Sequence, residues 1–89
     1  MDRHIENTLR ELQAQLRHTE SLTENDRQFA EDLYEEIEEL LARSRKGLTI
    51  EHGPLLGRLD DATQRFEVSH PDLTGVVGRV VDSLSTMGI

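Results

Sequence analysis

The chain has 89 residues, a net charge of −8 and no cysteine. A chain of this length forms one domain, residues 1–89, and the lack of cysteine excludes disulfides, thiolate nucleophiles and cysteine-based zinc sites. The acidic balance argues against direct nucleic-acid binding, which draws most of its affinity from Lys and Arg on phosphates.

Apolar runs are short throughout the chain. None approaches the roughly 18 apolar residues that a membrane helix needs, and the first ten residues lack the apolar core of a signal peptide. We therefore expect a cytoplasmic protein without membrane contact. The aromatic residues are only Phe29, Tyr34 and Phe66. Because large contributors to a monomeric core are few, we also expect a homo-oligomer.

The first predicted helix spans about residues 2–18. Its apolar residues form a stripe only about 60° wide, the width of a coiled-coil seam, and such a helix requires a partner helix. The seam consists of Ile5, Leu9, Leu12 and Leu16. Off the seam, Arg3, Arg10 and Arg17 recur every seven residues. We expect this basic line to dock on the acidic face of helix two, within a chain or between chains.

The second predicted helix spans about residues 24–46. Its start offers two capping boxes, in which a hydroxyl accepts from the backbone N–H three residues later. One pairs Ser21 with Glu24, and the other pairs Thr23 with Asp26. The two alternatives place the start of the helix two residues apart.

Helix two is amphipathic and acidic. It ends at Gly47, which follows a cluster of cations and tolerates a left-handed cap. Its apolar face centres on Phe29, Leu33, Ile37 and Leu40. The opposite face carries Glu31, Asp32, Glu35, Glu36, Glu38 and Glu39. The plain interpretation is a solvated surface, but a basic partner would relieve the repulsion between like charges four residues apart.

The third and fourth predicted helices span about residues 54–68 and 71–87. Pro71 favours a break between them, because its ring clashes with the preceding turn; one helix kinked at Pro71 is the alternative. Ser69 is the expected N-cap of helix four, and Gly88 marks its end.

Helix four has the widest apolar stripe, covering about 140° of the helical wheel. The stripe consists of Leu73, Val76, Val77, Val80, Val81, Leu84 and Met87. Gly75 and Gly78 lie inside this helix and weaken it by roughly 1 kcal/mol each relative to alanine. A close helix crossing is one reason for glycine at these positions.

The sequence contains no spacing that favours a metal site or a catalytic group. The four histidines, none three or four residues from another, are His4, His18, His52 and His70. The Glu-x-x-His step of carboxylate-bridged metal sites in helical bundles is also lacking. We therefore expect no metal, no cofactor and no enzymatic activity.

Both ends of the chain resemble a domain-of-unknown-function group of short bacterial proteins. The N-terminal likeness rests on His4, Ile5, Leu9 and Leu12. The C-terminal likeness rests on Phe66, Glu67, His70, Pro71, Leu73, Asp82, Ser83, Leu84, Met87, Gly88 and Ile89. The resemblance implies a bacterial, soluble, helical protein with no assigned activity, and it implies no catalytic or binding residues.

Taken together, these patterns predict an all-α protein of three or four amphipathic helices, in which the first two form an antiparallel hairpin of a bundle. The predicted function is that of a non-enzymatic interaction or structural protein that self-associates. The candidate interface is Ile5, Leu9, Leu12, Leu16, Leu73, Val77, Val80 and Leu84. The alternative is an acidic binding module that caps or inhibits a basic protein partner through the acids of helix two.

Overall fold

The structure, a computed structural model, describes residues 3–47 and 53–87. It contains four α-helices, namely α1 (Arg3–His18), α2 (Glu24–Arg45), α3 (Gly53–Phe66) and α4 (Pro71–Met87). No strand occurs in the two described ranges. The all-α prediction is confirmed, and the helix boundaries differ from the predicted ones by at most two residues within these ranges. Gly88, the expected end of the last helix, and His52 lie outside them.

The helices form a bundle in which each helix contacts two neighbours. α1 and α3 each contact both α2 and α4. α2 and α3 are antiparallel, since Arg65 pairs with Asp26 whereas the earlier Arg58 pairs with the later Glu36. The bundle measures 37 × 21 × 19 Å along its principal axes. The short connections and the ring of contacts are those of an up-and-down helical bundle.

One face of each helix supplies the core. The apolar seam of α1 is buried within the chain, as are Leu73, Val76, Val77, Val80 and Leu84 of the α4 stripe, and these two helices contact each other. Phe66, at the end of α3, is the largest fully buried side chain. The buried apolar residues are Ile5, Leu9, Leu12, Leu16, Ala30, Leu33, Ile37, Leu40, Leu41, Leu55, Leu59, Ala62, Phe66, Leu73, Val76, Val77, Val80 and Leu84.

The two ends of α2 have well-defined caps. Thr23 Oγ1 accepts a hydrogen bond from the backbone N–H of Asp26 at 3.1 Å, so the second of the two predicted capping boxes supplies the cap. Ser21 instead adopts a left-handed conformation, with φ of 64°. Gly47 follows the helix with φ of 73°, as predicted for the residue that tolerates this conformation.

α3 and α4 are separate helices. α3 ends at Phe66, residues 67–69 form a turn, and α4 begins at Pro71. The expectation that Ser69 caps α4 is wrong. α4 begins at Pro71, so the residue that directly precedes the helix is His70 rather than Ser69, and the Ser69 hydroxyl instead lies 2.8 Å from Nδ1 of His70.

Gly75 and Gly78 lie on the exposed side of α4, and a Cβ added at either position meets nothing within 4 Å. A close helix crossing is therefore not the reason for these glycines. We predict that Gly75→Ala and Gly78→Ala each raise the free energy of unfolding by about 0.5–1 kcal/mol, since alanine restricts the unfolded chain without a clash.

Gly47→Ala is the matched control, because the same substitution there forces an L side chain into a left-handed conformation. It should lower the free energy of unfolding by about 1 kcal/mol. Urea titrations of the three variants measure these differences. Destabilisation by both α4 substitutions would show that this face of α4 is packed.

Candidate interaction surface

The six predicted acids of α2 lie outside the core. Glu31, Glu35, Glu38 and Glu39 are exposed, while Asp32 and Glu36 are half-buried. The buried residues on the other side of α2 are Ala30, Leu33, Ile37, Leu40 and Leu41. The apolar face of the helix thus fixes the carboxylates on the outside of the bundle.

Three of these six acids are offset by other side chains. Glu36 Oε1 lies 3.6 Å from Arg58 Nε, and Glu39 Oε1 lies 3.7 Å from Arg43 Nη2. Asp32 Oδ1 accepts a hydrogen bond from Gln28. The contact of Glu36 lies where α2 faces α3, and the contact of Glu39 lies near the C-terminal end of α2.

The other three acids, Glu31, Glu35 and Glu38, have no ion pair with any residue that the structure describes. We call these three residues the acidic surface. They are spaced four and three residues apart on an exposed helix, a spacing at which like charges repel by a few tenths of a kcal/mol per pair. A cation from outside the chain would reduce this repulsion.

The basic line of α1 does not dock on the acids of α2 within the chain. The guanidinium of Arg17 lies over the ring of Tyr34, 4.5 Å from its centroid. Arg3 and Arg10 are exposed and make no ion pair with the described residues. The expected docking within one chain is therefore corrected: Tyr34 lies at the edge of the α1–α2 contact and takes the cation.

A groove with a volume of about 600 Å³ lies between α1, the loop that follows it, and the first half of α2. We call it the α1–α2 groove. Its lining includes the buried Leu16 and Ala30, the half-buried Leu22 and Tyr34, and the exposed Arg17, Arg27, Glu31 and Glu35. The groove thus shares two carboxylates with the acidic surface. The sequence did not reveal it, because it depends on which helices are neighbours.

A smaller cleft of about 370 Å³ lies between α1 and α4. Arg79 Nη2 and Glu11 Oε1, both in its lining, form an ion pair at 3.0 Å. Thr8, also in the lining, is buried and donates its hydroxyl hydrogen to the carbonyl of Ile5. Within the described ranges, no three His, Asp or Glu side chains are grouped so that they could hold a metal ion. The expected lack of a metal site stays a prediction.

The eight residues of the candidate interface are buried within a single chain. They line the contacts that α1 and α4 make inside the bundle, and none is more than 6% exposed. The expected interface assumed that α1 and α4 carry more apolar surface than one chain can cover. In the structure, the apolar faces of α1 and α4 cover each other. Self-association of the folded chain would therefore have to use other residues.

His70 connects the two loops at one end of the bundle. Its Nε2 lies 3.2 Å from the carbonyl oxygen of Glu20, and the carbonyl accepts, so Nε2 carries the hydrogen. In the neutral ring, Nδ1 then accepts from the hydroxyl of Ser69. The ring also meets Phe66 edge-on, with centroids 5.7 Å apart. Sequence spacing could not reveal this contact, since Glu20 and His70 are fifty residues apart.

The described residues define a class of protein: a small all-α domain with four helices around one apolar core. Within this class, the chain belongs to the family described as Domain of unknown function (DUF4404), whose model matches residues 5–89. No curated protein and no solved structure matches the chain. The resemblance to a domain-of-unknown-function group is confirmed, whereas bacterial origin stays a prediction. In the described part of the chain, no helix combines the length and apolar character needed to cross a membrane.

We predict that His70→Ala lowers the free energy of unfolding by about 1–2 kcal/mol, because it removes a hydrogen bond between two loops and an edge-on aromatic contact. Amide hydrogen exchange should also become faster in the loop around Glu20. Val68→Ala is the control, since Val68 lies two residues away but is 91% exposed. Equal stability of the two variants would show that the contact of His70 with Glu20 does not stabilise the fold.

Proposed function

We propose that this chain is a non-enzymatic interaction protein that binds a basic segment of a partner protein through the acidic surface. The observation that carries the proposal is that Glu31, Glu35 and Glu38 are exposed and unpaired among the described residues. The net charge of −8 adds a long-range attraction for cationic partners, which raises the rate of encounter.

The core of the bundle holds the acidic surface in place. Leu33, Ile37 and Leu41, on the opposite side of α2, are 0% exposed. Glu31 and Glu38 are therefore held about 10 Å apart along a rigid helix, with Glu35 between them. A partner segment with cations at a helical spacing of three and four residues can meet all three carboxylates at once.

An enzymatic function has less support. Ser69 and His70 are within hydrogen-bond distance of each other, the pairing that nucleophilic catalysis uses. Neither residue, however, lines either of the two cavities described above. The contact with Glu20 gives His70 a structural role. The Ser69 hydroxyl is close to the ring because the two residues are neighbours in the chain.

The proposal predicts salt-dependent binding of a basic helical peptide. The probe is a peptide of Ala and Lys in which Lys recurs at spacings of three and four. It should bind the wild-type chain in 50 mM salt and weaken strongly in 0.5 M salt, because the Debye length falls severalfold over this range. The triple variant E31Q/E35Q/E38Q should bind about tenfold more weakly, since each exposed pair contributes up to about 1 kcal/mol. Isothermal titration calorimetry measures both effects.

The matched control is D60N/D61N/E67Q, which removes the same number of charges from exposed positions on and just after α3. It should retain most of the affinity for the probe. If both triple variants lose the same affinity, binding follows net charge alone and no acidic surface exists as a specific site.

Self-association through charged residues is the second candidate function. The observation that favours it is the exposed Arg10 on α1, at about the same height along the bundle as Glu38 on α2. Gln13 Nε2 donates to the carbonyl of Tyr34, which fixes the relative height of the two helices. Arg10 precedes Gln13 by three residues and Glu38 follows Tyr34 by four. Two copies related by a two-fold axis parallel to the helices would bring each Arg10 near the Glu38 of the other copy.

A charge swap tests this second candidate. Arg10→Glu and Glu38→Arg should each leave only monomer. In a homodimer of either variant, residue 10 of one copy would meet residue 38 of the other with a charge of the same sign. An equimolar mixture should restore a dimer, in which both pairs again have opposite charges. Sedimentation velocity in low salt measures these states. A wild-type chain that stays monomeric at 100 μM, or a mixture that does not dimerise, contradicts self-association through these residues.

A further inference from the structure

We propose that the α1–α2 groove anchors an apolar side chain of the same basic segment that the acidic surface binds. The inference rests on the proposed function and names its ligand more closely, as an amphipathic basic helix. Glu31 and Glu35 belong to both the groove and the acidic surface. One segment lying along α2 therefore contacts both at the same time.

The composition of the groove suits an apolar anchor. Leu16 and Ala30 form its buried base, and Leu22 and Tyr34 are half-buried beside them. Arg17 lies against the Tyr34 ring and covers part of it. A small apolar and aromatic centre surrounded by charged side chains is the usual composition of a protein interface, and Tyr and Arg are the residues most enriched there.

The charges of the groove fix the direction in which the ligand lies. Arg17 and Arg27 line the groove and offset the charges of Glu31 and Glu35, so the groove itself has little net attraction for a cation. Glu38 belongs to the acidic surface but not to the groove lining, so the acidic surface extends from the groove towards the C-terminal half of α2. The apolar side chain therefore enters near Leu22, and the cations of the segment lie along the acidic surface.

The volume of the groove is consistent with this ligand. About 600 Å³ is larger than one Leu or Phe side chain, and it is open to solvent, so the anchor is held on one side only. A side chain buried in this way stabilises a complex by less than full burial would. The groove should thus increase an affinity that the carboxylates already provide, and it should select among basic segments.

The test compares two peptides of equal charge. The first is the Ala and Lys peptide described above, and the second carries one Phe placed to enter the groove. Wild type should bind the Phe peptide about tenfold more tightly than the first peptide. Leu22→Ser should abolish this difference, and the remaining binding should keep its salt dependence. Leu56→Ser, at another half-buried leucine of the core edge, should preserve it.

Thermal melts establish that both leucine variants fold. As a measurement on the wild type itself, backbone amide shifts of Thr19 and Leu22 should change with the Phe peptide but not with the first peptide. Equal affinities for the two peptides, or unchanged discrimination in Leu22→Ser, overturns the groove proposal while the acidic surface stands. Absence of salt-dependent binding by either peptide overturns the proposed function as well.

Discussion

The contact between the first and last helices determines the rest of this structure. α1 contacts both α2 and α4, and the apolar stripe of α4 is the widest in the chain. Leu9 and Leu12 on α1 and Val77 and Val80 on α4 are all 0% exposed, within one chain that has few aromatic residues. Because this contact closes the bundle, a small core is sufficient, and α2 needs only one side of its surface for packing.

Because α1 and α4 cover each other, the outward side of α2 is not needed for packing and can carry charged residues. α2 contacts α1 and α3 but presents Glu31, Glu35 and Glu38 outward. Glu36 pairs with a cation of α3, and Glu39 pairs with a cation in the last turn of α2. The folded chain thus has a rigid anionic surface beside a partly apolar groove. Solvation of the charges accounts for the exposure of the acids, but not for a groove that shares two of them. This combination is the basis for the proposal of a cationic, amphipathic partner.

The sequence predicts local structure well and tertiary contacts poorly. Periodicity gives all four helices, and capping chemistry gives the start of α2 at Thr23 and its end at Gly47, because both depend on residues close in the chain. Local sequence does not determine which element covers each apolar face. The sequence therefore predicts that the α1 seam contacts another copy, whereas in the structure it contacts α4. For the same reason the acids could be predicted as a surface, whereas the groove, the Arg17–Tyr34 contact and the His70–Glu20 bond could not.

The oligomeric state in high salt, combined with the concentration dependence of unfolding, tests the central claim most directly. In 0.5 M salt, where contacts between exposed charges are screened, apolar interfaces persist. Closure of the α1 and α4 faces within one chain predicts a monomer at 100 μM by light scattering, with one cooperative transition whose Tm does not depend on protein concentration. A dimer under these conditions, with a Tm that rises with concentration, would show that the faces pair between chains and would contradict the account.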